Sequence, residues 1–196
     1  MSKKKQTREQ ILIIAFDMAS EEGLESLTIG ELAKRVGMSK SGLFAHFNAR
    51  SNLQAAVVLY AGQRFAEKVI EPARETPHDS CESKIRHLMD NWMSWNSSIQ
   101  GSCMFLDAWR EKSNDGDVMQ QALEETTKKW LYYLQIQFEK GIEFGEFKPD
   151  LDCCQLVYKL YGLYLSSHLF RTLDLETENA KRFWAGIDEL FSMIKR

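Results

Sequence analysis

Between Leu27 and Phe47 the chain reads LTIGELAKRVGMSKSGLFAHF. The chemistry open to such a stretch is recognition rather than catalysis. Ser39, Lys40 and Ser41 place hydroxyl and ammonium donors side by side, with Gly42 and Leu43 following. Donors of this kind at the start of a helix match phosphate oxygens and base edges in a DNA groove. Gly42 is a poor helix former, so its presence points to a close approach of the backbone to another surface.

Those side chains need two helices crossing closely. Thr28 and Glu31 form a capping box that opens a short helix through Val36. Ala33 supplies a small residue at the crossing, and Gly37 supplies a turn position free of Cβ strain. Ser39 caps the second helix, which ends near Phe47 and presents its first residues to the major groove.

Of the chain's 196 residues, 44% are hydrophobic and 27% charged, the composition of an ordinary globular protein. Three prolines and few alternating β-branched runs predict an all-α fold of about nine helices. The first helix begins at Thr7, with Gln10 completing a capping box, and stops at Gly23. A fourth helix runs from about Arg50 to 70. Pro72 and Pro77 bracket a linker. Further helices cover 79 to about 98, about 103 to 110, 117 to about 144, 152 to about 172 and 176 to 194, with a turn at Asn114–Gly116.

Net charge is −3, yet residues 1–60 carry 8 Lys/Arg against 6 Asp/Glu, so a DNA contact belongs at the N-terminal end. No window is apolar enough for a membrane span, and the start lacks a signal-peptide core, which predicts a cytoplasmic protein with no membrane partner. Cys81, Cys103, Cys153 and Cys154 lack C-x-x-C spacing, so neither a disulfide framework nor a metal site is expected. His87, Cys103 and Asp107 have no spacing that calls for catalysis, and the vicinal pair Cys153–Cys154 lacks a ligand cluster. No enzyme activity and no cofactor are expected.

The run AKRVGMSKSGLFAHF, with Thr7 before it and ARSNL after it, resembles the DNA-binding domain of the TetR (tetracycline repressor) family of bacterial regulators. GSCMFLDA and FGEFKPDLDCCQLVYKLYGLYLSSHLF resemble C-terminal domains of some members. The resemblance implies a helix-turn-helix domain over residues 1–50 and an effector-binding, dimerising domain over 51–196, joined by the helix from about 50 to 70. It implies phosphate contacts from the Thr7–Arg8 start, Thr28 and Arg50, and groove contacts from Ser39, Lys40, Ser41, Gly42 and Leu43. Phe44 and His46 stand where the family often has a phosphate-contacting Tyr and a Tyr or His. Phe44 lacks that hydroxyl, so packing on a sugar or in the core is its alternative.

The C-terminal half is rich in aromatic and thioether side chains that suit an apolar pocket or a core. The resemblance implies a pocket, and Trp92, Met93, Met104, Phe105 and Tyr133 are its candidates. Stripes at Leu156, Leu160, Leu163, Leu169 and at Phe183, Ile187, Leu190, Ile194 fit a four-helix homodimer interface or packing within the chain. The implied function is a repressor that leaves a palindromic double-stranded operator when a small apolar or aromatic effector binds. The alternatives are a ligand-independent or activating DNA-binding regulator, and a helical small-molecule binder without DNA.

Overall fold

The first helix, α1 (Lys3–Glu22), begins a turn before Thr7 in the computed structural model, which describes residues 3–98, 104–110 and 117–196. Thr7 therefore lies inside the helix and is not its cap. Lysine and glutamine extend a helix readily, so nothing upstream forces a later start. After a 3-10 turn (Leu24–Ser26) come α2 (Ile29–Val36), α3 (Lys40–Phe47) and α4 (Arg50–Phe65).

From α4 the helix continues through a π segment (Ala66–Ile70) into α5 (Glu71–Glu75), so Pro72 does not begin a linker. Proline in an α-helix removes one hydrogen bond and crowds the carbonyl four residues back. Here its ring follows a turn already widened by the π segment. The remaining described helices are α6 (Cys81–Ser98), α7 (Met104–Arg110), α8 (Val118–Glu143), α9 (Cys153–Thr172) and α10 (Asn179–Ile194). Counting α4 to α5 as one rod, the described residues form nine, as expected for an all-α chain. Asn114–Gly116 and Cys103 lie outside the described residues. No described helix is long and apolar enough to cross a membrane.

Two compact units emerge. One comprises residues 1–68 and 94–128, the other 69–93 and 129–196. The first is cored by Ile11, Ala15, Leu32, Leu43, Phe47, Leu53 and Val57, all nearly or fully buried. Buried Gln54 donates to the Leu24 carbonyl at 2.9 Å, which satisfies the 3-10 turn from within.

In the second unit, Leu156 and Leu160 of α9 and Phe183, Ile187, Leu190 and Ile194 of α10 are buried in the chain's own core. Leu163 also faces inward, its Cδ2 2.5 Å from where a Cβ on Gly186 would stand. These stripes join α9 to α10 within one subunit. Tyr158, Leu169 and Leu173 remain exposed. They share a stripe with Gly162 and Leu165, and a Cβ on Gly162 would meet nothing within 4 Å.

Candidate nucleic-acid interface

The turn between α2 and α3 is set by backbone chemistry. Thr28 accepts the Glu31 N–H at 3.2 Å and starts α2. Gly37 ends it at φ +69°, a left-handed conformation that costs a side-chain-bearing residue about 1 kcal/mol or more. The Met38 N–H then returns to the Ala33 carbonyl at 3.0 Å, and Ser39 caps α3 by accepting the Gly42 N–H at 3.1 Å. A Cβ on Gly42 would stand 3.1 Å from the Ser39 hydroxyl, so the glycine makes room for its own helix cap.

Helical spacing then sorts the side chains of α3. Leu43 and Phe47 point inward and are buried, while Ser39, Lys40, Ser41 and Phe44 are exposed. Leu43, expected at the groove, is 0% exposed and makes no contact there. Phe44 is 52% exposed, which rules out the core packing held open for it. His46 is half-buried, and its Nδ1 is enclosed without a hydrogen-bond partner, so a phosphate contact would fall to Nε2.

Ion pairing decides which cations face outward free. Lys34 is paired with Glu31, and Arg35 with Glu21 and Glu22. The Lys34 hydrogen bond and charge, helped by Lys40, hold the Glu31 carboxyl below its usual value. Arg50 was expected to bind a phosphate. Its guanidinium instead donates to the Leu27 carbonyl at 3.2 Å and to the Glu25 carbonyl, with the Glu25 carboxylate at 3.4 Å. Arg8 lies 5.2 Å over the Phe47 ring. Among the described residues Lys40 has no ion pair. Its Nζ stands 3.7 Å, and the Thr28 hydroxyl 3.9 Å, from where a Cβ on Gly30 would be. Lys40 and Thr28 thus converge over the first turn of α2. Thr7, half-buried in α1, stays a candidate phosphate donor.

The pocket candidates fall into separate cores. Met104 is 2% exposed and, with Phe105, packs into the first unit, because Met104 and Ala108 lie on the one face that α7 buries. In the second unit Trp92 is 5% exposed and stacks on Tyr164 with ring centroids 3.7 Å apart. Trp130 meets Trp92 edge-on at 5.2 Å and stacks on Tyr133 at 6.3 Å. Met93 is half-buried in the same unit. Tyr164, Tyr161 and Trp130, part of the same aromatic-rich half, join Trp92 and Tyr133 in this cluster. In the first unit, an open groove of about 330 Å³ lies between α1 and α4, lined by Arg8, Leu12, Asn52, Leu59 and Tyr60 among others.

Residues 11–57 match the model for bacterial regulatory proteins of the tetR family, and residues 81–187 match the tetracyclin repressor-like C-terminal domain. The chain is 28% identical over 74 residues to the HTH-type transcriptional regulator AcrR of Shigella flexneri, covering 38% of this chain and 34% of that protein. It is 23% identical over 158 residues to the HTH-type transcriptional repressor KstR2 of Mycolicibacterium smegmatis, covering 78% and 72%. The match thus spans about a third of AcrR. A TetR-family regulator from Cytophaga hutchinsonii shares the fold with TM-score 0.83 and 17% identity, covering 100% of this chain and 98% of that one. FadR of Bacillus subtilis, solved in complex with stearoyl-CoA, does so with TM-score 0.76 and 17% identity, covering 94% and 98%.

Proposed function

Because the chain belongs to the tetR family, whose members are transcriptional regulators and not enzymes, we propose that it is a homodimeric repressor that releases its operator when a small molecule binds. In this reading residues 1–50 read DNA, and residues 51–196 receive the effector and form the dimer. The protein acts in the cytoplasm.

The observation that carries the reading is the outward face of α3. Ser39, Lys40, Ser41 and Phe44 stand on one exposed surface, backed by buried Leu43 and Phe47 and aimed by the left-handed turn at Gly37. The Thr28 hydroxyl uses its oxygen to cap α2, which leaves its proton free to donate to a phosphate oxygen, while the Ser39 hydroxyl caps α3 and shares a hydrogen bond with the Ser41 hydroxyl at 3.2 Å. Lys40 adds charge beside Thr28, and Ser41 and Phe44 meet base edges or sugars. Two such faces in a dimer fit a near-palindrome with half-sites about one helical turn apart. Repression is supported by the likeness to KstR2, a transcriptional repressor, and small-molecule binding by the likeness to FadR, solved in complex with stearoyl-CoA. Here the effector is a small apolar or aromatic molecule met by Trp92, Met93 and Tyr133.

Footprinting on the DNA upstream of the protein's own gene tests the reading. The expected result is a symmetric protected site bound by a dimer, and a single asymmetric half-site held by a monomer would refute it.

A further inference from the structure

Two sets of hydrogen bonds draw three helix ends of the second unit together. The Glu146 carboxylate, just past α8, accepts the Cys81 N–H at 2.6 Å and the Glu82 N–H at 2.9 Å, which seats the end of α8 against the start of α6. The His78 ring bridges the Ala73 carbonyl, 2.8 Å from Nε2, and the Ser83 hydroxyl, 3.3 Å from Nδ1, which seats the end of α5 against the same turn.

Those ends carry Arg74, Lys84 and Lys140. Among the described residues none of these three side chains has a carboxylate or a hydrogen-bond partner. Burial and the charge of Lys140 push the Lys84 ammonium below the usual lysine value, Cys81 opposes them, and Arg74 adds the smallest downward effect. Arg74 also acts on the Tyr133 phenol, which burial raises and the guanidinium opposes. Arg74 and Lys140 are exposed and Lys84 is half-buried, so the cluster opens to solvent.

Like charges gathered without counter-charge destabilise a fold, and an arriving anion relieves that cost. Three cations from separate helices exceed what a single carboxylate neutralises and suit a phosphate, with near −2 charge and three acceptor oxygens. We propose that Arg74, Lys84 and Lys140 form an anion site for the phosphate group of a small molecule whose apolar part lies against Tyr133. The site deepens the effector reading and rests on it for the regulatory consequence alone.

Inorganic pyrophosphate titrated into the full chain by calorimetry, at ionic strength held constant with sodium chloride, tests it. Saturable binding is expected, weakened about tenfold or more by Lys84→Met or Arg74→Met, the factor one charge-assisted hydrogen bond supplies. Lys128→Met, which removes an exposed cation of the first unit, should leave it unchanged. Without pyrophosphate and at low salt, Lys84→Met should raise the Tm, because it removes repulsion, and pyrophosphate should then raise the Tm of the parent only. Absent saturable binding, or equal binding by parent and Lys84→Met, overturns the site. Binding at the cluster that leaves operator affinity unchanged would keep the site and sink its role as effector.

Discussion

Arg50 Nε donates to the Leu27 carbonyl at 3.2 Å, which ties the start of α4 to the residue just before the Thr28 cap of α2. This arginine fastens the entrance to the helix-turn-helix while its side chain stays 44% exposed. Arg50→Met should therefore lower the Tm, by a few degrees for about 1 kcal/mol of partly exposed hydrogen bonding. It should leave the salt dependence of operator binding nearly intact.

Lys40→Met should do the reverse. It removes a cation with no ion pair among the described residues, beside Thr28, so the Tm should hold. The slope of log affinity against log salt should fall by about 0.9 per subunit. Its effect should be similar on operator and unrelated DNA if Lys40, beside Thr28 over the first turn of α2, binds a phosphate. A changed base preference with an unaltered slope would show Lys40 to be a base reader.

Gly37→Ala puts a Cβ on a residue at φ +69° and should cost about 1–2 kcal/mol. Gly37→Asn should recover much of that loss, because asparagine tolerates the left-handed region. If instead both variants melt like the parent, the turn is not held in this conformation in solution.

How much of this was legible beforehand varies with the reach of the interaction. The starts of α2, α3 and α9 at Thr28, Ser39 and Asp152 could be read because each cap bonds an N–H three residues on. The start of α1 could not, since Thr7–Gln10 competes with favourable lysines upstream. Pro72 was misjudged because a π segment reopens a position that an α-helix closes. Leu43 turns inward, and Met104 and Phe105 join a different core from Trp92, because partners far along the chain choose which face of a short helix is buried. Arg74, Lys84 and Lys140 lie on separate helices, whose ends are drawn together by the Glu146 and His78 hydrogen bonds between residues far apart in the chain or on different elements.

Dimerisation has a sharper test now that Leu156, Leu160 and Leu163 and the Phe183 stripe are seen to pack within the subunit while Leu169 does not. The proposed interface is the outer stripe of α9, where Gly162 lets a second helix approach closely and Tyr158, Leu169 and Leu173 supply apolar area. Leu169→Glu places a charge on a side chain 51% exposed in the subunit, so folding should survive. Sedimentation should show monomers, with operator affinity lost in step. A dimer unaffected by Leu169→Glu, and by Leu173→Glu, would move the interface elsewhere.

Control of DNA binding depends on a ligand preferring one arrangement of the protein over another. Trp92 is where that preference should register, because it is 5% exposed, stacked on Tyr164 at 3.7 Å and edge-on to Trp130. A molecule entering this cluster must exchange its own contacts for those between rings. Trp92→Ala would empty a large volume and cost about 3–5 kcal/mol, which confuses folding with signalling. Trp92→Phe keeps a ring against Tyr164, so the Tm should fall only modestly and operator affinity should stay within about twofold. Ligands found by tryptophan fluorescence should release the parent from labelled operator, and the variant should need about tenfold more, a coupling change of about 1.4 kcal/mol. Should ligands quench the parent's tryptophans tightly yet leave operator anisotropy unmoved, the aromatic cluster is a core and the repressor is controlled elsewhere.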